Sequence, residues 1–401
     1  MSTHSLSLEQ AWARLEAAVP DERPAVENVA VANASGRILA ENVTARVDSP
    51  PADNSAMDGF VVKASDVVLD SPVALSQRIA AGHAPVALEP GTAARIFTGA
   101  EIPDGADCVV IQENCEYDED SVSISQGLTS GANIRRRASD VAIGDVVARQ
   151  HAMVRPQEIG LLLSSGVGQV AVYGALRVGI IATGDELVDI ANAPAELPPG
   201  KIYESNSPMI AARLQAMGCV PTRYRALDTH EDTVRVMSEA LAENDAVLTI
   251  GGVSVGEEDH VLAALQEVGQ TEFWKINIKP GKPFLFGSGA GKPVMGLPGN
   301  PVSSFVTFTL FCAPFIQQLQ GGTFERPTRI PAVADFSRSR TSDRVDHLRG
   351  RITSRYPELI VEPVGSQSSS VQGALCAADV LIVVPADTQV IEGQRLRVIP
   401  L

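Results

Sequence analysis

The sequence has few cysteines and few aromatic side chains. Its five cysteines include no CxxC pair, and an odd number cannot pair completely. This pattern argues against a disulfide framework and a structural zinc site, and it is typical of a reducing cytoplasm. Phe, Trp and Tyr make up only 4% of the chain, so a core must consist mainly of Val, Ile, Leu and Ala.

Basic residues are also scarce, since 32 Lys and Arg stand against 48 Asp and Glu, for a net charge of −16. A surface this acidic repels a phosphate backbone, which argues against general nucleic-acid binding. Local basic groups are therefore informative. Two of them are the arginines at 135–137 and the lysines Lys275, Lys279 and Lys282. For the arginines alone, a solvated face is the simpler interpretation.

Long apolar runs are missing as well. No run approaches the ~20 residues of a membrane-spanning helix without polar interruption. The first twenty residues lack the apolar core of a secretory signal. Residues 7–19 instead predict an amphipathic helix, with Ser7 as its cap and Gln10 completing a capping box. We therefore expect a cytoplasmic chain with no membrane span.

The pattern along the chain predicts several domains. Residues 46–145 hold short β-type runs broken by Gly, Pro, Asp and Asn, which is typical of a β-rich insertion. Their flanks, 1–45 and 146–175, are predicted to form one linking domain. Residues 323–401 return to short β runs without a strong helix, and they predict a small β-barrel or sandwich.

Residues 176–322 alternate strands with helices. Continuous apolar runs at Val178–Ala182 and Ala246–Ile250 predict strands that are buried on both faces. Further strands are predicted at 272–279 and 293–297, and helices at 207–218, 230–243, 260–268 and 300–319. Ser207 is the predicted cap of the first helix. The alternation predicts an α/β domain with a mostly parallel, doubly wound sheet.

Ligands of such a sheet bind beyond the carboxyl ends of its strands, where three loops carry chemically useful residues. In the first loop, Gly184 allows a tight turn and Asp185 and Glu186 follow it. Paired carboxylates suit a magnesium ion or a proton transfer. A helix N-terminus that favours acidic side chains explains the same residues equally well.

The second loop, residues 251–259, contains three glycines that allow backbone amides to approach an anion. Asp259 stands where the next helix is predicted to begin, so it is either a cap or a metal ligand. In the third loop, Asn300 is the predicted cap of a helix whose first turn contains Ser303 and Ser304. That turn is either an anion seat or a well-capped structural element.

The predicted strand 272–279 separates its residues into two faces. Trp274, Ile276 and Ile278 lie on one face, and Lys275, Asn277 and Lys279 lie on the other. Lys282 follows a Pro-Gly turn. Burying one unpaired ammonium costs several kcal/mol, so three neighbouring lysines require an anion or carboxylates such as Asp259. This group of lysines predicts an anionic substrate.

These segments, taken in order, resemble the MoeA family of molybdopterin molybdenumtransferases, to which the C-terminal domain of gephyrin is related. The matching segments are SAMDGF (55–60), TGA (98–100), GAD (105–107), residues 133–140, TGDEL (183–187), GGVSVG (251–256), KPGKP (279–283) and GLPGNP (296–301). TGDEL alone also occurs in pterin adenylyltransferases and CinA-type proteins. The SAMDGF and KPGKP segments within the full ordered set are specific.

The resemblance implies an elongated homodimer whose active site lies between the 176–322 domain of one chain and the β insertion of the other. The implied reaction combines molybdate with adenylyl-molybdopterin, with magnesium, and releases AMP and the molybdenum cofactor. The substrate would come from a pterin adenylyltransferase, and the product would pass to molybdoenzymes.

Motif matching with that family implies a role for each of three sets of residues. The implied catalytic residues are Asp58, Thr98, Asp140, Glu186, Asp228, Asp259, Lys275 and Lys279. Those implied to bind the pterin substrate or molybdate are Gly251, Gly252, Ser254, Lys282, Pro298, Asn300, Ser303, Arg344 and Ser369. Those implied to surround magnesium are Asp185, Glu186, Asp228 and Asp259.

Two other interpretations are compatible with parts of the chain. A pterin adenylyltransferase or CinA-like hydrolase would use the 176–322 domain, but it would not explain SAMDGF. A non-catalytic molybdopterin-binding scaffold or paralogue would keep the fold without turnover. Molybdate and tungstate are tetrahedral dianions of nearly equal size, and the sequence does not separate them.

Overall fold

The computed structural model describes residues 5–192, 196–253 and 260–401. The first helix spans Leu8–Ala18 and has the predicted capping box, because the Ser7 hydroxyl accepts the Gln10 N–H and the Gln10 side chain accepts the Ser7 N–H. The buried Trp12 donates from Nε1 to the carbonyl of Leu310 at 2.6 Å. This bond joins the first helix to the central domain.

The central domain is built on a six-stranded sheet. In spatial order its strands are Val220–Ala226, Arg177–Thr183, Ala246–Ile250, Lys292–Leu297, Leu285–Gly289 and Gly269–Trp274. The first four are parallel, and the last two pair in the antiparallel direction. The prediction of a mostly parallel sheet is confirmed, with an antiparallel edge.

Helices cover both faces of this sheet, as the continuous apolar strands predict. Neighbouring residues such as Ile180 and Ile181 are both fully buried, yet they belong to two different hydrophobic clusters on opposite faces. The helices span Asn206–Ala216, His230–Glu243, Val261–Val268 and Pro301–Leu319. The last is π-helical at Phe308–Cys312. It is long and apolar enough to cross a membrane, but 78% of it is buried within the fold, as in a core helix.

The predicted cap at Ser207 is wrong. The helix begins at Asn206, and Ser205 holds the position before it. The Glu204 carboxylate accepts the Ser207 N–H at 2.8 Å and the Ser207 hydroxyl at 2.5 Å. Glu204 therefore accepts the hydrogen bonds offered by the first turn of the helix, and the Ser207 hydroxyl acts as a donor instead of as a capping acceptor.

The predicted continuous strand 272–279 is also wrong. The strand ends at Trp274, and Lys275 has a positive φ of 81°. A short strand, Ile278–Lys279, then pairs with the C-terminal domain instead of the central sheet. The Leu6 N–H donates to the Lys275 carbonyl, and the Asn277 N–H donates to the Leu6 carbonyl. These bonds hold the segment where it leaves the central sheet. As a result Trp274 packs with one core cluster, while Ile276 and Ile278 pack with the other.

The flanks of the insertion pair as predicted. Val26–Ala30 is antiparallel to Gln169–Tyr173, and Val43–Thr44 pairs with Val146–Ala148. The helix Pro156–Ser164 packs beside them. The insertion is connected to the rest of the chain through this paired ribbon.

The insertion is β-rich, as predicted. Its sheet contains, in spatial order, Cys108–Ile111, Gly59–Val62, Ala93–Ile96, Pro72–Ile79, Ser121–Ile124 and Cys115–Tyr117. The start of the SAMDGF segment lies outside this sheet, because Asn54–Ser55 pairs with Ile134–Arg135 in a separate two-stranded ribbon. The segment 55–60 therefore crosses from one ribbon into the main sheet.

The C-terminal domain is a closed barrel, which confirms the barrel alternative. Around the barrel the strands are Val345–Ser354, Ile360–Pro363, Ile330–Ala334, Arg395–Pro400 and Val380–Val384, and the last pairs with the first. A short helix, Gln372–Cys376, follows the loop that faces the central domain. The strand Val345–Ser354 also receives Ile278–Lys279, which brings the barrel beside the KPGKP segment.

Candidate active site

Two adjoining cavities form one cleft between the central sheet and the barrel. One has a volume of about 640 Å³ and lies at the carboxyl ends of the central strands. The other, of about 950 Å³, lies against the barrel. Pro283 and Asn300 line both cavities. We call the first the carboxylate end, which contains Glu186 and Asp228, and the second the basic end, which contains Lys279 and Arg344.

At the carboxylate end, two loops are held together by their aspartates. The N–H of Asp185 donates to Asp228 Oδ2 at 2.9 Å, and the N–H of Asp228 donates to Asp185 Oδ1 at 3.2 Å. The loops follow two neighbouring parallel strands, so their ends meet at one edge of the sheet. Each carboxylate keeps a second oxygen that can serve a cation.

The glycine loop lies tightly against the same edge. Gly251 and Gly252 have positive φ values of 93° and 64° and line the cavity. A Cβ at Gly251 would lie 2.7 Å from Thr183 Oγ1 and 2.9 Å from the Thr183 carbonyl oxygen. Only glycine fits this close approach, which is to Thr183 of the same chain. The predicted approach of the loop amides to an anion stays a prediction. The predicted site residues Ser254 and Asp259 lie outside the described residues.

Of the four carboxylates predicted to surround magnesium, Asp185, Glu186 and Asp228 belong to the part of the chain that the structure describes. Within it, no three His, Cys, Asp or Glu side chains are grouped closely enough to hold an ion. The paired aspartates, Asp185 and Asp228, still fit magnesium. Magnesium commonly uses one or two protein carboxylates, several waters and substrate phosphates.

The basic end concentrates positive charge in an otherwise acidic protein. Its lining contains six basic side chains, Lys279, Lys282, Arg338, Arg340, Arg344 and Arg349, against two carboxylates, Asp346 and Glu362. The hydroxyl residues Ser303 and Ser369 also line it. A cavity of this composition favours an oxyanion, because charged donors bind it most strongly.

Lys279 has a carboxylate partner that the sequence did not reveal. Its Nζ lies 3.6 Å from Asp346 Oδ2, and Asp346 is only 1% exposed. Arg338 contacts the same oxygen at 2.6 Å. Asp346 is brought to Lys279 by the pairing of strand Ile278–Lys279 with the barrel, so no local pattern could identify it.

Arg349 is the second residue that sequence reasoning missed. It is 1% exposed, and its guanidinium donates to the carbonyls of Ser366 and Ser368, both at 3.1 Å. Burial lowers the pKa of Arg349, and the nearby Asp346 carboxylate partly offsets this effect. Arg349 thereby holds the loop that places Ser369 in the cavity.

The helix that begins at Pro301 is tied to that loop. The Val302 N–H donates to the Ser369 carbonyl at 3.1 Å, so this amide is not free for an anion. Asn300 occupies the cap position, but its side chain makes no capping hydrogen bond. The prediction of a side-chain cap is therefore wrong. The Ser304 hydroxyl donates to the Pro298 carbonyl, while Ser303 faces the basic end.

Lys275 does not join the other two lysines. Its Nζ lies 3.7 Å from the centroid of the Trp274 ring, and it lines neither cavity. The strand ends just before Lys275, and the positive φ of Lys275 redirects its side chain. The predicted group of three lysines is therefore reduced to Lys279 and Lys282 at the basic end.

Two predicted site residues of the insertion, Asp58 and Thr98, are in contact with each other, and neither lines the cleft of its own chain. Asp58 Oδ1 accepts the Thr98 N–H at 2.8 Å and the Thr98 hydroxyl at 2.9 Å. The backbone bond from Thr98, followed by that of its hydroxyl, lowers the pKa of Asp58. Asp140 is exposed on the same insertion. No residue of 46–145 lines either end of the cleft.

The arginine triplet mostly supports its simpler interpretation. Arg136 contacts Asp53 at 2.6 Å, and Arg137 contacts Asp48 at 2.6 Å. Both arginines are exposed. They serve as ion-pair partners on the surface of the insertion.

The fold and the cleft define a multidomain protein built around a molybdopterin-binding type of α/β domain. Three family models match the chain in order. They are the MoeA N-terminal region (domain I and II) over residues 6–166, the probable molybdopterin binding domain over 179–318, and the MoeA C-terminal region (domain IV) over 331–401.

Individual proteins show the same likeness over the full length. The molybdopterin molybdenumtransferase of Haemophilus influenzae is 36% identical over 383 residues, 94% of each chain. The molybdopterin molybdenumtransferase 2 of Mycobacterium tuberculosis is 35% identical, over 92% of this chain and 94% of its own. The crystal structure of a molybdopterin biosynthesis MoeA protein from Pyrococcus horikoshii has a TM-score of 0.79 at 26% identity and covers 99% of this chain and 100% of its own. The chain belongs to the MoeA family.

Proposed function

We propose that this protein is a molybdopterin molybdenumtransferase that inserts molybdate into adenylyl-molybdopterin and releases AMP. The observation that carries the proposal is the joining of a carboxylate end and a basic end in one cleft. The substrate has a phosphoanhydride and meets a second anion, so the reaction needs both kinds of site. The activity named for the full-length relatives supports the same conclusion.

At the basic end, Lys279, Lys282 and Arg344 would hold molybdate. These residues line the cavity with Ser303 and Ser369, whose hydroxyls can donate to a tetrahedral oxyanion. Fixed positive charges offset the repulsion between molybdate and the phosphates. Holding both anions in one cleft replaces a random encounter with an oriented one.

At the carboxylate end, Asp185, Glu186 and Asp228 would surround Mg²⁺ or its waters. When bound, the ion would neutralise charge that develops at the phosphoanhydride as it breaks. The residues of this chain have a separate task there. The Gly251–Gly252 backbone would give the phosphates a close approach, and Pro298 and Asn300 also line the cavity.

The insertion residues suggest a homodimer with a shared site, and the few unpaired cysteines suggest that it works in the cytoplasm. Asp58 and Thr98 form one hydrogen-bonded unit, yet they lie outside the cleft of their own chain. In a homodimer, these two residues and Asp140 would reach the cleft of the second copy. For Lys275, which lines neither cavity, the motif match with the family is the support for a role in that shared site.

Mixing two inactive variants tests the shared site. Asp58→Ala and Lys279→Ala subunits would each be inactive as homodimers. A mixed dimer should recover about one active site, because one of its two clefts would contain no substitution. Lack of recovery after subunit exchange has been verified by mass spectrometry would contradict the shared site.

Cofactor assembly in vitro tests the function as a whole. Purified protein, adenylyl-molybdopterin, Mg²⁺ and micromolar molybdate should together yield AMP and activate an apo-molybdoenzyme. A scaffold would bind the pterin without turnover. A pterin adenylyltransferase or CinA-like hydrolase would not need the regions at 6–166 and 331–401 that match the family. Handover from an adenylyltransferase and to molybdoenzymes follows from the same proposal.

A further inference from the structure

One buried carboxylate stands among the cations of the basic end. Asp346 is 1% exposed, and its Oδ2 contacts Arg338 at 2.6 Å and Lys279 at 3.6 Å. Its Oδ1 is buried and has no hydrogen-bond partner within the described residues. The carboxylate is therefore incompletely satisfied, although positive groups surround it.

Both cations that contact Asp346 also reach the cavity. The Lys279 side chain is 35% exposed and that of Arg338 is 19% exposed. The contact to Lys279 is the longer of the two, so the lysine is held less firmly than the arginine. A bound oxyanion would compete with Asp346 for the same ammonium group.

A negative charge in an anion cavity weakens the binding of the anion. Such weakening is useful in a transfer reaction, because tight binding of the ground state does not accelerate the chemical step. The second carboxylate of the cavity, Glu362, differs in kind. It already accepts a bond from Arg351 Nε at 2.7 Å, on the exposed side of the barrel.

We propose that Asp346 is a positioning residue that holds Lys279 and Arg338 at the cavity wall and competes with the bound oxyanion for them. In this way it keeps the anion available for transfer. The proposal rests on the proposed function for the meaning of the transfer. The effect of Asp346 on anion binding can be measured without turnover.

The test compares Asp346→Asn with Glu362→Gln in the full chain. Molybdate binding is measured by calorimetry, with sulfate as an unreactive tetrahedral dianion, and AMP release is measured in parallel. Asp346→Asn should bind both anions about tenfold more tightly, since one nearby negative charge is removed. It should also release AMP at least about tenfold more slowly, because Lys279 has lost its anchor. Glu362→Gln should bind within about twofold of wild type.

Two results would overturn the proposal. Weaker anion binding by a folded Asp346→Asn would show a merely structural role. Equal tightening in both variants would show that only the net charge of the cavity matters. If wild type binds molybdate but releases no AMP, the proposed function fails while the binding comparison still stands.

A second variant covers the case in which Asp346→Asn does not fold. In Arg338→Gln, Asp346 keeps its contact with Lys279 and should draw it away from the anion. Molybdate binding should then weaken by about tenfold, and by more than in Arg340→Gln, which removes another cation of the same cavity. Binding that is unchanged or tighter in this variant would contradict competition by Asp346.

Discussion

The two ends of the cleft are built in different ways. The carboxylate end consists of loops that follow two neighbouring parallel strands. Each of its two aspartate carboxylates accepts a hydrogen bond from the backbone N–H of the other aspartate. The basic end consists of side chains from two domains, organised around the buried Asp346. Contiguous motifs therefore encode the first end, whereas only the docking of the barrel creates the second. Four predictions follow from this difference.

The largest expected effect is at the basic end. Lys279→Ala should lower AMP release by about 100-fold or more, because it removes a charged donor placed at the reacting anion. The melting temperature should fall only modestly, because the lysine side chain is partly exposed and Arg338 still pairs with the buried Asp346. Lys63→Ala, an exposed lysine on the insertion, is the matched control and should keep full activity. A large drop in melting temperature with preserved activity would assign Lys279 a structural role.

The second prediction concerns acid stability of the basic end. His347 is fully buried in its wall, and burial followed by the nearby Arg329 lowers its pKa to about 4. Above its ordinary pKa of 6.5, both folded and unfolded states hold a neutral imidazole. As pH falls from 6.5 towards 4, His347 binds a proton in the unfolded state but stays largely neutral in the folded state, so the free energy of unfolding declines.

The full decline attributable to His347 is roughly 3 kcal/mol. Calorimetric unfolding of wild type and His347→Gln between pH 7 and pH 4 measures it. The variant should show a shallower decline in this window. Asp58, whose pKa is lowered, loses its contribution only as pH falls below its ordinary value of 3.8, so it does not account for the same window. Parallel curves for the two proteins would exclude His347 as the cause.

The third prediction concerns the carboxylate end. Asp228→Asn should raise the Mg²⁺ concentration for half-maximal AMP release by about tenfold, because one acidic ligand or water-holding group is lost. Asp189→Asn is the matched control on the neighbouring exposed segment, and it should respond to Mg²⁺ like wild type. Equal Mg²⁺ requirements for wild type and Asp228→Asn would show that Asp228 does not help to bind Mg²⁺ at this end.

The smallest effect separates two adjacent serines where the ends meet. Ser304→Ala should destabilise the protein by about 1 kcal/mol, because its buried hydroxyl donates to the Pro298 carbonyl. Ser303→Ala should leave stability nearly unchanged and weaken molybdate binding, since Ser303 lines the basic end. Urea unfolding and calorimetric titration of both variants measure the contrast. The reverse pattern would exchange the two roles.

The same contrast explains what could be predicted from the sequence. The capping box of Ser7 and Gln10 and the buried strand Ala246–Ile250 depend on neighbours in sequence, and they are found as predicted. The strand Leu285–Gly289 was missed because two glycines and a serine weigh against a strand. A Cβ at Gly287 would lie 2.2 Å from the Gln270 carbonyl oxygen, so the close strand neighbour requires that glycine.

Tertiary contacts account for the errors at 272–279 and for the residues that were missed at the basic end. The alternation at 272–279 is regular, but Leu6 bonds to this segment and the barrel captures Ile278–Lys279. Lys275 is thereby separated from Lys279. Asp346 and Arg349 belong to a barrel strand whose sequence carries no anion-binding motif. The domain boundaries, the metal ligands and the partner residues of the shared site stay predictions.

The most direct test of the account is whether the two ends act on one substrate in separable steps. Lys279→Ala should bind adenylyl-molybdopterin as tightly as wild type, through the intact carboxylate end, and release almost no AMP when molybdate is added. Fluorescence titration and AMP release on the same preparation measure both quantities. If Lys279→Ala binds the pterin normally and still releases AMP at the wild-type rate with molybdate, the basic end is not the site of molybdate transfer.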